Sequence, residues 1–151
     1  MPSDASLESL LANYPITIAL PVFWGDQDVF GHVNNNAYFR WFESARIALS
    51  QRIGLIDLFR AEKIGPILAS VSCDYRRQIT FPDTIHAAIR VTRIGRTSVG
   101  LEHAIVSQSQ QAVAAEGTST IVIFDFGVKK PHPVPLSLRH AIEELHGRAF
   151  E

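Results

Sequence analysis

Reactive side-chain types concentrate in one stretch: Trp24-Gly25-Asp26-Gln27-Asp28-Val29-Phe30-Gly31-His32-Val33-Asn34-Asn35-Asn36-Ala37-Tyr38, followed by Phe42-Glu43-Ser44-Ala45-Arg46. It sets two carboxylates, a histidine and three consecutive amides immediately before a segment of helical periodicity. The first turn of a helix presents backbone N–H groups with no intrahelical acceptor and the positive end of the helix dipole, so it can hold a developing oxyanion. Asp28 is close enough in the chain to reach the same spot, and a carboxylate there can activate water or attack a carbonyl carbon itself. An acyl thioester suits such a site, because its thiolate leaves with little assistance once nucleophile and oxyanion donors are in place.

Each of these residues also has a structural reading. Asp26 and Asp28 are common turn formers, and Asp26 is assigned to structure. His32, whose ordinary pKa of about 6.5 suits a general base at neutral pH, can instead be structural. Asn34, Asn35 and Asn36 supply N-cap chemistry. Glu43 fits an ion pair on the helix side with Arg40 or Arg46. Arg76, Arg77, Arg90, Arg93 and Arg96 can form charge-assisted hydrogen bonds to phosphates, with the turn holding Arg93 and Arg96 as the stronger candidate, or remain solvated. Phe39, Trp41 and Phe42 are assigned to the core, with one of them free to line an acyl tunnel. No Gly-x-Ser-x-Gly elbow, phosphate loop or His-Glu-x-x-His helix occurs, and the six histidines lack metal-ligand spacing. No metal and no cofactor are expected.

The elements that position these groups read as follows. Residues 1–14 form a loose arm or short helix, and 16–24 a strand ended by the Gly25-Asp26 turn signal. A helix over 36–53 is predicted from Tyr38, Trp41, Phe42, Ala45, Ala48, Leu49 and Ile53 at three- and four-residue intervals, with Gly54 as a left-handed stop. A short helical piece follows at 57–62. Strands are expected from Ile67 to Arg76, from Ile85 to Val91, from Val99 to Val106 and from Thr118 to Phe126. The apolar run Ile121-Val122-Ile123-Phe124 suggests a strand covered on both faces. A short amphipathic helix from Leu138 to Leu145 closes the chain. The four later strands can pair by successive hairpins, and a helix this apolar must be wrapped by the sheet. The fold class is therefore α+β: an antiparallel five-stranded sheet around one long central helix, in a single domain spanning 1–151.

Composition limits the alternatives. Hydrophobic residues at 46% and charged residues at 19% are globular proportions, and a net charge of −1 argues against a nucleic-acid partner. The lone cysteine, Cys73, precludes an intrachain disulfide and is assigned to the core. The run from Ile16 to Phe23 is interrupted by Thr17 and Pro21, which fits neither a secretory leader nor a membrane span. A cytoplasmic location is expected by default.

At the loop and helix the chain resembles the 4-hydroxybenzoyl-CoA thioesterase-like hotdog family, including an acyl-CoA thioesterase branch with the pattern Asp-x-x-x-His-Val-Asn-Asn, here Asp28 to Asn35. The likeness runs from Ile16 to Leu145 and takes in Asp74-Tyr75-Arg76-Arg77, the Arg93-Ile94-Gly95-Arg96 turn and Pro133 to Leu138. It implies hydrolysis of an acyl-CoA, or an acyl-carrier-protein thioester, to the free acid without a cofactor. Asp28 matches the catalytic aspartate, the backbone N–H around Asn35 the oxyanion donor, and Arg96 the basic positions near CoA phosphates, with Arg93, Asn34 and Asn36 as further substrate contacts. The resemblance also implies a homodimer or a pair of dimers with sites at the interface. Where members often carry an aromatic or histidine this chain has Asn35, so acyl specificity does not transfer. Two alternatives stay open: a hotdog hydratase or dehydratase in which His32 is essential, and a non-catalytic acyl-CoA or acyl-carrier binding module.

Overall fold

In a computed structural model, which describes residues 6–151, one long antiparallel sheet curls around one long helix. After a short helix α1 (Leu7–Leu11), strand β1 (Ile16–Pro21) leads through a single 3-10 turn (Trp24–Asp26) to the central helix α2 (Asn35–Arg52). Helix α3 (Leu55–Glu62) is followed by β2 (Ile64–Tyr75), β3 (Thr84–Ile94), β4 (Ser98–Ser107), β5 (Ala112–Asp125), a two-residue β6 (Lys130–Pro131) and helix α4 (Leu136–His146). The sheet order is β1-β3-β4-β5-β2, with β6 paired to β5.

Three expectations need correction. The first strand stops at Pro21, not Trp24: the turn that follows is a tight helical one, closed by Asp26, whose Oδ2 accepts the Phe23 N–H at 2.8 Å. The second strand is not hairpin-paired to the third. Residues 76–83 carry the chain away, and β2 closes the sheet against β5 in a register running from Ile64↔Asp125 to Tyr75↔Ala115. β1 takes the place beside β3, from Ile16↔Ile89 to Pro21↔Thr84. The expected spans of β2 and β5 also fall short at their starts, since neither Ile64-Gly65-Pro66 nor Ala112 to Gly117 carries a clean alternation of apolar and polar residues.

Helix α2 sits in the hollow of the sheet. Tyr38, Trp41, Phe42, Ala45 and Leu49 are buried, as the spacing predicts, and Ala37 is buried with them. Its close contact with β5 depends on Gly117: a Cβ there would run into the Ser72 carbonyl oxygen and lie 2.7 Å from Cε2 of Phe42. Beside this contact His103 of β4 is fully buried, stacked on the Phe42 ring with centroids 4.4 Å apart. Its Nε2 is 2.8 Å from Ser119 Oγ. Gly54, at φ +83, both ends α2 and opens α3, the left-handed position that the sequence assigns to it. Cys73 is partly buried against the core, where burial raises its thiol pKa and keeps it protonated.

Candidate active site

The loop between β1 and α2 is fixed at both ends by backbone and side-chain bonds. Asp26 is its anchor: besides capping Phe23, it accepts from Arg40 Nη2 at 2.7 Å through Oδ1, and its carbonyl accepts the Asn34 N–H at 2.8 Å. This agrees with its structural assignment. On the other side Val33 N–H reaches the Ile79 carbonyl at 2.8 Å, and Gln27 Oε1 receives the Phe81 N–H at 3.0 Å.

Between those anchors lies a tight turn. Asp28 N–H donates to the His32 carbonyl at 3.0 Å, and Gly31, at φ +80, donates its N–H to the Asp28 carbonyl at 3.0 Å. Oδ1 of Asp28 takes the Phe30 N–H at 2.9 Å, while Oδ2 has no hydrogen bond among the described residues. Asp28 thus serves as a turn former and still keeps one carboxylate oxygen uncommitted.

Asn34 is the N-cap of α2, its Oδ1 accepting from Asn36 N at 2.9 Å and its carbonyl from Ala37 N at 3.0 Å. The N–H of Asn35 falls between those two and has no acceptor among the described residues. The helix therefore opens with one backbone donor free, on an 18-residue α2 whose dipole favours negative charge at that end.

These groups share a cleft of about 420 Å³. Asp28, His32, Asn35 and Tyr38 line it from the loop and the start of α2, and Tyr75 and the run from Arg76 to Gln78 from the end of β2 and beyond. Tyr38 and Tyr75 meet edge to face, centroids 5.0 Å apart. Burial, with smaller contributions from Cys73 and Tyr75, pushes the Tyr38 phenol up to about 12, so it stays a neutral hydroxyl in the physiological range. Sequence reasoning does not single out the two tyrosines as site residues: Tyr38 reads as a core position of the helix and Tyr75 as one more residue of a strand. Their aromatic spacing across two elements is visible only once β2 lies against α2.

Arg93 and Arg96 do not line this cleft. They flank the β3–β4 hairpin, where Arg93 Nη1 contacts Ser98 Oγ at 3.3 Å and the Arg96 carbonyl accepts the Val134 N–H at 2.8 Å. The cleft adjoins the opposite end of β3, and a strand of that length spans about 35 Å. Asn34 and Asn36 sit at the helix start, with the Asn34 amide committed to capping. Of the expected ion pairs on α2, Arg40 pairs with Asp26, not Glu43. Neither Glu43 nor Arg46 has an opposite charge within 4 Å among the described residues. Among those residues no three His, Cys, Asp or Glu side chains gather as metal ligands.

A family model for the thioesterase-like superfamily matches residues 22–142, the span that holds the loop, the helix and the whole of the later sheet. This chain belongs to that superfamily. Solved relatives carry the same architecture. A thioesterase from Thermus thermophilus, solved with coenzyme A and zinc, is 30% identical with a TM-score of 0.80 over 91% of this chain and 98% of that one. A putative thioesterase from Pseudomonas aeruginosa is 35% identical, TM-score 0.76, over 85% and 98%. The long-chain acyl-CoA thioesterase FadM of Escherichia coli (strain K12) is 24% identical over 118 residues, 78% of this chain and 89% of that protein. With the helix wrapped by the sheet as in these relatives, the chain is a hotdog-fold thioester hydrolase. No helix among the described residues is long and apolar enough to cross a membrane.

Proposed function

We propose that this thioesterase hydrolyses an acyl-CoA in the Asp28 cleft, with Asp28 as general base or nucleophile and the Asn35 N–H holding the thioester oxygen. One observation carries the reading: Asp28, with an uncommitted carboxylate oxygen, and Asn35, with an acceptor-free N–H, line the same cleft. Charge that develops on the carbonyl oxygen meets a donor already in place, so little reorganisation is needed in the transition state. The thiolate departs as CoA, and water, attacking directly or on an acyl-aspartate, gives the free acid. CoA as the carrier is supported by the Thermus relative solved with it and by the acyl-CoA specificity named for FadM.

The functional unit is a dimer through β2. This strand is a 12-residue sheet edge, exposed over most of its length, with Ile67, Leu68, Val71 and Tyr75 open to solvent. An unpaired edge of that length invites a second copy. Antiparallel pairing brings the far end of one protomer beside the cleft end of the other. The partner's Arg96 and the partner's Arg93 would then stand about two to three strands, roughly 10–15 Å, from the interface, within range of the nucleotide phosphates. Within the same protomer, Arg76 and Arg77 border the cleft.

Asp28→Asn is the test. It keeps the turn bonds and removes the charge, and loss of positioned acid-base assistance lowers kcat about 10²- to 10⁴-fold in a variant that stays folded and binds acyl-CoA. His32 lines the same cleft, and the hydratase alternative makes it the essential group. If Asp28→Asn retains activity within about tenfold, below that acid-base range, while His32→Ala abolishes it, the histidine-centred reading replaces this one.

A further inference from the structure

All three lysines of this chain, Lys63, Lys129 and Lys130, gather at one end of the sheet. Lys63 closes α3 and its carbonyl accepts the Phe126 N–H at 2.9 Å, while Lys130 is the ladder partner of Asp125 between β6 and β5. Arg60 stands in the last turn of α3. From the other side the β3–β4 hairpin brings Arg93 and Arg96, held to this end by the Ile123 N–H on the Thr97 carbonyl at 2.7 Å and the Val134 N–H on the Arg96 carbonyl. These six cations are exposed, and none has a carboxylate within 4 Å among the described residues. The carboxylates in these segments are Glu62 and Asp125, and Oδ1 of Asp125 accepts the Gly127 and Val128 N–H groups. In a chain of net charge −1 this end is therefore positive and the remainder negative. The cations surround an apolar centre. Phe59, Phe126 and Val128 are exposed by 38%, 38% and 64%. Phe126 meets Phe59 and Phe124 edge to face, centroids 5.4 and 5.1 Å away, and Lys63 Nζ lies 5.5 Å over the Phe59 ring.

We propose that this end docks an acidic acyl-carrier protein, which presents its acyl thioester on a phosphopantetheine arm to the cleft of the other protomer. The inference rests on the Asp28 cleft and the β2 dimer proposed above. Within one protomer the 12-residue β2 sets Lys63 and Tyr75 near opposite ends, roughly 35 Å apart. Antiparallel pairing brings the lysine end of each copy beside the Tyr75 end of the other, so a carrier seated on one protomer faces the partner's Asp28. Water cleaves the C–S bond there, giving the free acid and the carrier's thiol. From Lys63 beside β2 to Arg93 on β3 the basic arc crosses three strand spacings, roughly 14 Å. The phosphates of CoA are small ligands that Arg93 and Arg96 can hold. The lysines and exposed rings widen the surface to the scale of a protein contact, with aromatic anchors inside a charged rim. The sign of the rim selects an acidic partner and speeds its approach.

The test compares one acyl group, palmitoyl, on three carriers: an acidic acyl-carrier protein, CoA and pantetheine. Lys129→Glu with Lys130→Glu reverses two exposed charges at the β5–β6 turn, outside β2 and outside the cleft of its own protomer. The double variant should raise KM for the protein-bound thioester at least about tenfold, with kcat unchanged, and leave palmitoyl-CoA within about threefold. Palmitoyl-pantetheine should be unaffected, which also shows that the variant is folded. Added salt should lower the wild-type kcat/KM for the carrier-bound substrate steeply and that for palmitoyl-pantetheine little, since salt screens exposed charges, and this arm needs no variant. Equal losses on carrier protein and CoA would assign the lysines to nucleotide phosphates, and no loss on either would make this end merely solvated. Each result overturns the docking surface. So would phosphatidylglycerol vesicles that retain wild type but not the variant while carrier kinetics stay the same, because the patch would then face a membrane. Binding of the unacylated carrier protein, followed by fluorescence anisotropy, is read without turnover. Wild type that binds it but hydrolyses none of the three substrates refutes the Asp28 reading and spares the docking surface, whereas wild type that sediments as a monomer refutes delivery to the partner's cleft.

Discussion

His103 should make this fold sensitive to mild acid, and the size of the effect follows from its surroundings. The ring is fully buried between β4, β5 and α2, faces the Phe42 ring and the Ser119 hydroxyl, and shares its neighbourhood with the positive Arg46. Burial first, and the Arg46 charge second, lower its pKa from 6.5 to about 3. Between those values the unfolded chain takes up a proton that the folded chain refuses, so stability is fully present above the unfolded pKa and falls as pH drops through the interval. At pH 5 the loss is about 1.5 pH units at 1.36 kcal/mol each, or about 2 kcal/mol. Urea denaturation at pH 7.5 and pH 5.0, at one fixed protomer concentration, measures it. His103→Gln keeps an amide within reach of Ser119 and removes the titration, so its change between the two pH values should be smaller than wild type's by about 2 kcal/mol. His146, whose pKa burial also lowers and whose Nε2 accepts the Val91 N–H at 3.0 Å, is present in both proteins and cancels. An identical pH dependence in the two would refute the reasoning, by showing that the ring is hydrated or protonated in the native state.

Gly117→Ala should shift backbone or the Phe42 ring, since the added methyl would meet Ser72 O and Phe42 at distances no Cβ tolerates. Overpacking of that kind costs about 1–3 kcal/mol, and a thermal melt should show a midpoint lower by about 2–4 °C per kcal/mol lost. Arg96→Ala should raise KM for acyl-CoA more than it lowers kcat, because a remote phosphate contact is alike in ground and transition states. The acyl-pantetheine substrate, lacking the nucleotide, should be indifferent to it. Equal losses on both substrates would make Arg96 structural.

The central helix and the reactive loop were legible because both are local. The three- and four-residue apolar spacing from Tyr38 to Ile53 needs no partner to be read, and Asn34 with Gly54 marks the ends within a residue or two. The helix begins one residue earlier than predicted, at Asn35, since only Asn34 is needed as cap. Strand pairing was less legible. Nothing local distinguishes a β2 that turns into β3 from one that crosses to β5, because both registers satisfy the same alternation and the choice is made by the eight residues 76–83 that carry the chain across. The far wall of the cleft was hidden for the same reason: Tyr75 and Gln78 come near Asp28 only after that crossing. Arg93 and Arg96 were legible as a basic turn, but their distance from the cleft within one protomer depends on strand length and direction, which emerge only from the assembled sheet.

The bonds that hold the loop have a thermodynamic consequence. Asp26 ties it to the body of α2 through Arg40, Val33 and Gln27 tie it to residues 79–81, and the opposite wall is tied where Arg76 and Arg77 both donate N–H groups to the Ala114 carbonyl. The cleft is thus built before a substrate arrives, and binding has little backbone left to order. Docking of the acyl thioester should therefore release mostly solvent and carry a negative heat-capacity change set by apolar burial, without the large unfavourable entropy of a folding loop. Only the tip, with Val29 and Phe30 almost fully exposed, remains free to adjust to the shape of the acyl group.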